Sequence, residues 1–153
     1  MSDTLYLLDT NVILTLVRGN ALAEFIDGKF GLRESKLRPL ACIVSHGEVR
    51  VLASRNWWGE KKLAALQTAL DNLVTVDINH PDVLDAYVEI DTYSQEHPDG
   101  ARNMGKNDLW IAACAKAAGA TLLTTDKDFD HINEALLPVR YVAPDSVREV
   151  KSG

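Results

Sequence analysis

Short apolar runs alternate with helix-like stretches along this chain, and three of these runs lead directly into acidic segments. The runs cover residues 5–8, 42–44 and 122–125. Their length and composition indicate buried strands, and strands that alternate with helices predict a parallel sheet covered on both faces. Ligand sites in such sheets lie beyond the carboxyl ends of the strands. We therefore expect the acids that follow the runs, Asp9, Glu48 and Asp126, to lie at one edge of the sheet.

Hydrophobic periodicity and breaker residues predict five strands and six helices. The predicted strands cover residues 4–8, 40–44, 73–76, 121–125 and 139–142. The predicted helices cover residues 10–18, 20–28, 45–55, 60–71, 81–97 and 107–118. Ser45 and Glu48 fit a capping box at the start of the third helix. The stretch 98–106, which contains Pro98 and two glycines, is a predicted loop.

Length and composition indicate a single domain over residues 1–153. The net charge of −6 argues against a non-specific nucleic-acid binder. No apolar run approaches the roughly 18 residues of a membrane span, and no signal-peptide pattern is visible, so we expect a cytoplasmic protein. Cys42 and Cys114 lie in apolar runs without a CxxC motif, as buried free thiols do.

The charge is unevenly distributed. Residues 29–62 carry eight Lys or Arg and three acids, whereas residues 63–101 carry eight acids and no Lys or Arg. This asymmetry fits a basic face for an anionic substrate beside an acidic face, and it equally fits two solvated helix surfaces.

Four acids, Asp9, Glu48, Asp108 and Asp126, are candidates for catalysis and metal binding. Carboxylates that converge in a fold are costly to keep ionised unless cations neutralise them. Their hard oxygen ligands suit Mg²⁺ or Mn²⁺, as one or two ions. Each acid also has a structural alternative: Asp9 as a helix N-cap, Glu48 as half of a capping box, and Asp108 as a charge favoured by the helix dipole.

The motifs that carry these acids resemble those of PIN-domain ribonucleases, specifically the VapC-like toxins of type II toxin–antitoxin systems. They are Leu8-Asp9-Thr10-Asn11, Ser45-His46-Gly47-Glu48, Asn107-Asp108-Leu109-Trp110 and Leu123-Thr124-Thr125-Asp126-Lys127-Asp128. Each motif alone is weak, but all four in this order and spacing form a strong signal over nearly the whole chain. The resemblance implies a PIN-like three-layer α/β/α sandwich with a central parallel sheet of four to five strands.

The resemblance also implies the activity and the partners. It implies an Mg²⁺- or Mn²⁺-dependent endoribonuclease in which a metal-activated water attacks the phosphodiester, leaving 5′-phosphate and 3′-hydroxyl ends. The acids Asp9, Glu48, Asp108 and Asp126 would be the ligands, and Asp128 competes with Asp126 for the fourth position. The implied partners are the RNA substrate, a cognate antitoxin and a second copy of the chain in a homodimer.

Polar and basic neighbours of the acids are further candidates. Thr10, Asn11, Ser45, Asn107 and Thr125 are candidates to orient the acids. Ser45 is most simply an N-cap, and Asn107 could contact the substrate or, as the favoured reading, cap its helix. Arg102 and Lys106 precede Asp108 and are expected near substrate phosphates. Trp57 and Trp58 lie among cations and could stack on bases, although core packing or contact with a protein partner is the favoured reading.

Three other functions remain open at the level of sequence. The chain could be a PIN-domain nuclease for RNA processing or for DNA, without an antitoxin. It could be a catalytically silent PIN-fold binding module, which the retention of all four acids argues against. A Rossmann-like or phosphoacceptor domain is disfavoured because neither a Gly-x-Gly-x-x-Gly motif nor a P-loop follows the first strand. The sequence does not identify which RNA is cut.

Overall fold

The computed structural model describes residues 4–147, which form five strands and six α-helices. The strands are β1 (Tyr6–Leu8), β2 (Leu40–Cys42), β3 (Val74–Val76), β4 (Thr121–Thr124) and β5 (Val139–Tyr141). The helices are α1 (Thr10–Arg18), α2 (Ala21–Phe30), α3 (Ile43–Arg55), α4 (Glu60–Asp71), α5 (Pro81–Gln95) and α6 (Lys106–Ala117), with a short 3-10 helix over Lys127–Phe129. The predicted order of elements is confirmed, and every boundary agrees with the structure to within two residues.

The strands form one parallel sheet in the order β3-β2-β1-β4-β5. The chain runs outward from β1 through β2 to β3, and then returns to the other side of β1 to add β4 and β5. The order of connection therefore reverses between β1 and β4, and a crevice forms at such a switch point beyond the carboxyl ends of the two strands. This topology confirms the predicted PIN-like α/β/α sandwich and places the first and last candidate acids on adjacent strands.

Alternation along the strands divides the core into two layers. Leu7 and Leu122 face a cluster formed largely by α5 and α6, whereas Leu8 and Leu123 face a cluster formed largely by α1, α2 and α4. All four side chains are fully buried. Because successive side chains of a strand point to opposite faces, a sheet covered on both sides favours consecutive apolar residues, as in Leu7-Leu8 of β1 and Leu122-Leu123 of β4.

The predicted start of the third helix is wrong. Helix α3 begins at Ile43, and its N-cap residue is Cys42, which makes no side-chain capping bond. Ser45 lies inside the helix, where its hydroxyl pairs with the hydroxyl of Thr10 instead of a backbone amide. The capping alternative for Asn107 is also wrong, because Asn107 is the second residue of α6 and Gly105 occupies the N-cap position. The hydroxyl contact between Ser45 and Thr10 of α1 thus takes the place of the predicted capping box at α3.

The structure also shows where the two tryptophans and the two cysteines lie. Trp58 packs against the cluster that contains α1 and α4, whereas Trp57 is 91% exposed. Cys42 and Cys114 are both buried free thiols, and their sulfurs lie 3.4 Å apart across β2 and α6. Among the helices in residues 4–147, none is both long and apolar enough to cross a membrane.

Candidate metal centre

Asp9 lies at the carboxyl end of the central strand β1 and is only 3% exposed. Its backbone amide donates to the carbonyl of Leu123, so the pairing of β1 with β4 continues up to this residue. Its side chain caps α1 by accepting a 2.8 Å hydrogen bond from the amide of Thr10. The capping role weighed as an alternative is therefore present, and it leaves the second carboxylate oxygen for another partner.

That second oxygen accepts a hydrogen bond from Thr124, a residue that no sequence motif singled out. The hydroxyl of Thr124 donates to Asp9 Oδ2 at 2.7 Å and accepts the amide of Asp126 at 2.9 Å. One fully buried hydroxyl thus connects the acid after β1 with the acid after β4. The residue predicted to orient the acid was its neighbour Thr125. Strand alternation could have favoured Thr124 instead, because Leu123 faces the core on one side of the sheet and the next side chain, Thr124, points to the other side.

Glu48 is held by a short chain of hydroxyls from α1 and α3. Thr10 Oγ1 donates to Glu48 Oε1 at 2.6 Å and lies 2.8 Å from Ser45 Oγ. Because a hydroxyl has only one hydrogen, the Thr10 proton goes to Glu48 and Ser45 must donate to Thr10. Both hydroxyls are buried. This arrangement supports the prediction that Thr10 and Ser45 orient an acid, and the acid is Glu48.

Three aspartates form the most compact acidic group in residues 4–147. Asp108, Asp126 and Asp128 each place one carboxylate oxygen within 4.8 Å of the others. Asp108 comes from the first turn of α6, and the other two flank Lys127 in the loop after β4. Asp126 also accepts the amide of Asp128 at 2.9 Å, which fixes the turn between them. The structure therefore brings both candidates for the fourth position close to Asp108.

The protonation behaviour of Asp108 reflects this crowding. Burial, followed by the charges of Asp9, Asp126, Asp128 and Glu48, raises the pKa of Asp108 to about 7. Burial also raises the pKa of Asp9, against the opposing hydrogen bonds from Thr124 and Thr10. The charges of the other four candidate carboxylates thus act on Asp108, and those of Asp126 and Glu48 also act on Asp9, although Asp9 and Glu48 lie outside the compact group of three. The mutual repulsion marks a concentration of negative charge that the protein itself does not neutralise.

The donor set fits a hard divalent cation. Every candidate ligand is a carboxylate oxygen, which is the ligand type that Mg²⁺ and Mn²⁺ prefer. Ligands on one Mg²⁺ at about 2.1 Å lie about 3–4 Å from each other, so the spacing within the group of three needs only a small contraction. Asp108, Asp126 and Asp128 could hold such an ion, with Asp9 and Glu48 beside it.

The other predicted site residues lie at the surface around this centre. Asn11 is exposed in the first turn of α1, and Asn107 is exposed in the first turn of α6. Arg102 and Lys106 are also exposed, in the loop before α6 and at its first residue. Arg102 lines a cavity that reaches Asp128. Their roles toward the acids or the substrate stay predictions.

Replacing Thr10 with Val tests whether its hydroxyl positions Glu48 for metal binding as well as stabilising the fold. The change removes the only hydrogen bond that Glu48 accepts from a side chain in residues 4–147. We expect a loss of about 1–2 kcal/mol in the free energy of unfolding, and a 10- to 100-fold (approximately) weaker affinity for Mn²⁺. Chemical denaturation and metal titration would measure the two effects.

Thr15→Val is the matched control for this experiment. Thr15 is equally buried on the same helix, and its hydroxyl donates to the carbonyl of Asn11, away from the acids. It should lose stability without losing metal affinity. Equal metal affinities in the two variants would contradict the role assigned to Thr10.

Comparisons with known proteins identify the fold and the family of the chain. The chain has the fold of a VapBC2 complex from Rickettsia felis bound to promoter DNA, with 22% identity, a TM-score of 0.72, and coverage of 90% of this chain and 98% of that chain. DNA-bound VapBC from Salmonella typhimurium is 19% identical, with a TM-score of 0.71 and coverage of 90% of this chain and 98% of that chain. FitAcB from Neisseria gonorrhoeae is 24% identical, with a TM-score of 0.66 and coverage of 88% of this chain and 96% of that chain. No curated protein sequence matches the chain. The family model of the PIN domain matches residues 6–135, and the chain therefore belongs to the PIN domain family.

Proposed function

We propose that this protein is a divalent-metal-dependent endoribonuclease and the toxin of a toxin–antitoxin pair. The observation that carries the proposal is the convergence of five carboxylates at the switch point of the sheet, with the pKa of Asp108 raised to about 7. Such a set is stable in its ionised form only with a cation, and Mg²⁺ is the common cofactor of phosphodiester hydrolysis.

The residues of the chain divide the work of hydrolysis between them. Asp108, Asp126 and Asp128 would hold the metal, which when bound supplies a nucleophile of lowered pKa and charge stabilisation at the phosphate. Asp9 and Glu48 lie beside this group in fixed orientations, because Thr124 donates to Asp9 and Thr10 donates to Glu48. The hydroxyl of Ser45 in turn bonds that of Thr10. Asp9 and Glu48 can accept a proton from the attacking water or complete a second ion site. Asp128 is exposed, so an extended RNA strand can reach the centre from solvent.

Membership of the PIN family and the likeness to chains from toxin–antitoxin complexes support the antitoxin as partner. The excess negative charge at the centre suits inhibition by a basic side chain of that partner. Two exposed apolar residues one turn apart on α5, Leu84 and Val88, support a homodimer. RNA as substrate rests on the family resemblance, since the chemistry of the five acids is the same for either nucleic acid.

Incubation of the purified protein with total cellular RNA tests the proposal. Discrete fragments with 5′-phosphate ends are expected with Mg²⁺ or Mn²⁺, and none with EDTA. Single-stranded DNA of matched sequence is the control substrate, and it should stay intact. Cleavage of DNA alone would favour a DNA-directed PIN nuclease. Absence of cleavage on any substrate, together with absence of Mn²⁺ binding, would favour a silent binding module.

A further inference from the structure

A cavity of about 690 Å³ opens beside the acidic centre. One wall is the loop between α5 and α6, from His97 to Gly105, and the other is the segment 127–131 after β4. Asp128 of the acidic centre lines it, and a Cβ placed on Gly105 would lie 3.9 Å from Asp108 Oδ2. The cavity and the acids therefore share a border, and a chain passing over the acids would enter the cavity.

The cavity carries two cations, of which Lys127 also lies over an aromatic ring, 5.8 Å from the ring centroid of Tyr141. Arg102 and Lys127 line it, both are exposed, and neither forms an ion pair within residues 4–147. Guanidinium and ammonium groups without a carboxylate partner are suited to bind phosphate oxygens. Asp99 and Asp130 also line the cavity, so its charge is mixed and does not favour the binding of anions in general. Their oxygens can accept hydrogen bonds from the amino groups of bases.

Two histidine rings form an ordered wall of the same cavity. His131 Nε2 lies 2.8 Å from the buried hydroxyl of Ser94, and the ring stacks on Tyr93 with an interplanar angle of 20°. The ring of His97 stands edge-on to His131, with centroids 5.8 Å apart. The amide of Asp99 donates to His97 Nδ1, which fixes this second ring as well. A rigid aromatic wall loses little entropy when a flat ligand packs against it.

We propose that this cavity binds the nucleotide of a single-stranded RNA that adjoins the scissile phosphate. Arg102 and Lys127 bind the phosphate of that nucleotide, and its base packs against His97 and His131. The volume lies within the roughly 300–1,000 Å³ of ligand sites, and cations beside aromatic rings are the common means of binding single strands. The inference rests on the proposed ribonuclease function, because it assigns a substrate subsite to that centre.

A double variant, Arg102→Gln with Lys127→Gln, tests the phosphate contacts. Cleavage of a short RNA should show a KM raised by about 10-fold or more, with kcat little changed, because both contacts act on substrate binding. The slope of log KM against log salt should fall by about two. The control is Lys36→Gln with Arg38→Gln, which removes the same charges from exposed residues before β2, at the opposite end of the sheet.

Neutral phosphates locate the subsite on the RNA. Each phosphate next to the cut is replaced in turn by a methylphosphonate, and one replacement should slow the parent protein but leave the double variant unaffected. His97→Ala should change the base preference at the same nucleotide. These results would support the proposal.

Two other results would overturn the proposed nucleotide subsite while leaving the nuclease function intact, and a third would refute both. A parent protein that cuts RNA, with variants of equal KM and equal sensitivity to every replacement, would overturn the subsite alone. Unchanged RNA kinetics with weaker neutralisation by an antitoxin would assign the cavity to a protein partner. A parent protein that cuts no RNA would refute the proposed function, and the subsite with it.

Discussion

Asp9→Asn is expected to lower RNA cleavage by about 100-fold or more, since metal-assisted charge stabilisation contributes several kcal/mol and about 1.4 kcal/mol corresponds to a tenfold rate. The substitution keeps the size of the side chain and removes a charge from the acidic centre. The amide oxygen can still accept the amide of Thr10, and the amide nitrogen can face the hydroxyl of Thr124. Both pairings of residue 9 can therefore re-form, but the direction at Thr124 is reversed, and the hydroxyl hydrogen of Thr124 loses the acceptor that Asp9 provides.

The same variant should be at least as stable as the parent protein without metal. Burial raises the pKa of Asp9, and the charge of Asp9 in turn raises the pKa of Asp108. A neutral amide relieves both the desolvation and the repulsion, so the free energy of unfolding in EDTA should not decrease. A loss of activity with retained stability is the pattern expected at a site whose charges serve function at the expense of folding.

Cleavage rates under saturating Mg²⁺ and denaturation curves in EDTA measure these two effects. Asp85→Asn is the matched control, because Asp85 is an exposed carboxylate on α5 that is not among the charges acting on Asp108. The control should keep full activity. A cleavage rate for Asp9→Asn equal to that of the parent protein would refute the assignment of the acidic centre.

The second large effect is a fall in the melting temperature of the metal-free protein as the pH rises. In the folded state the pKa of Asp108 is about 7, whereas an unfolded aspartate has a pKa of about 3.9. Below about pH 4 the carboxyl is protonated in both states and carries no penalty. Between about pH 4 and 7 only the unfolded chain releases its proton, so the folded state loses relative stability, and the loss levels off above about pH 7.

A divalent ion should reverse this trend. Ligand carboxylates bind a metal in their ionised form, so Mn²⁺ should raise the melting temperature more at pH 8 than at pH 5. Burial lowers the pKa values of His46 and His131, which gives a smaller trend of the opposite sign below about pH 6.5. The diagnostic quantity is therefore the difference between the parent protein and Asp108→Asn.

Thermal melts in EDTA between pH 5 and 8 measure that difference. The melting temperature of Asp108→Asn should exceed that of the parent protein by a margin that grows with pH, and Asp85→Asn should follow the parent protein. A constant difference across the range would mean that Asp108 titrates at its ordinary pKa and that the carboxylates are not crowded.

Sequence patterns predicted the sheet because β1 and β4 each carry consecutive buried leucines, which is typical of strands covered on both faces. The positions of the acids followed from the same reasoning, since residues after parallel strands share one edge. The group of Asp108, Asp126 and Asp128 could not be predicted in the same way. Its third member depends on the turn that Asp126 caps, and a turn between two aspartates separated by one lysine has several possible conformations.

The hydroxyl network was the less predictable part. Ser45 and Glu48 match a capping box by spacing, but the hydroxyl of Thr10, which is distant in the sequence, hydrogen-bonds both side chains. Local spacing cannot show that a tertiary contact will outcompete a local bond. Thr124 was missed for a similar reason, because its two partners follow different strands.

The strand order has a consequence for the timing of synthesis. The central strand β1 is made first, but its neighbour β4 and the two aspartates after it are made after α1 to α6. Long-range pairing of this kind forms only when the later strand has left the ribosome. A growing chain therefore carries Asp9 and Glu48 without their partners. For the proposed nuclease, this means that a nascent chain lacks the complete acidic centre until β4 and the two aspartates after it have left the ribosome.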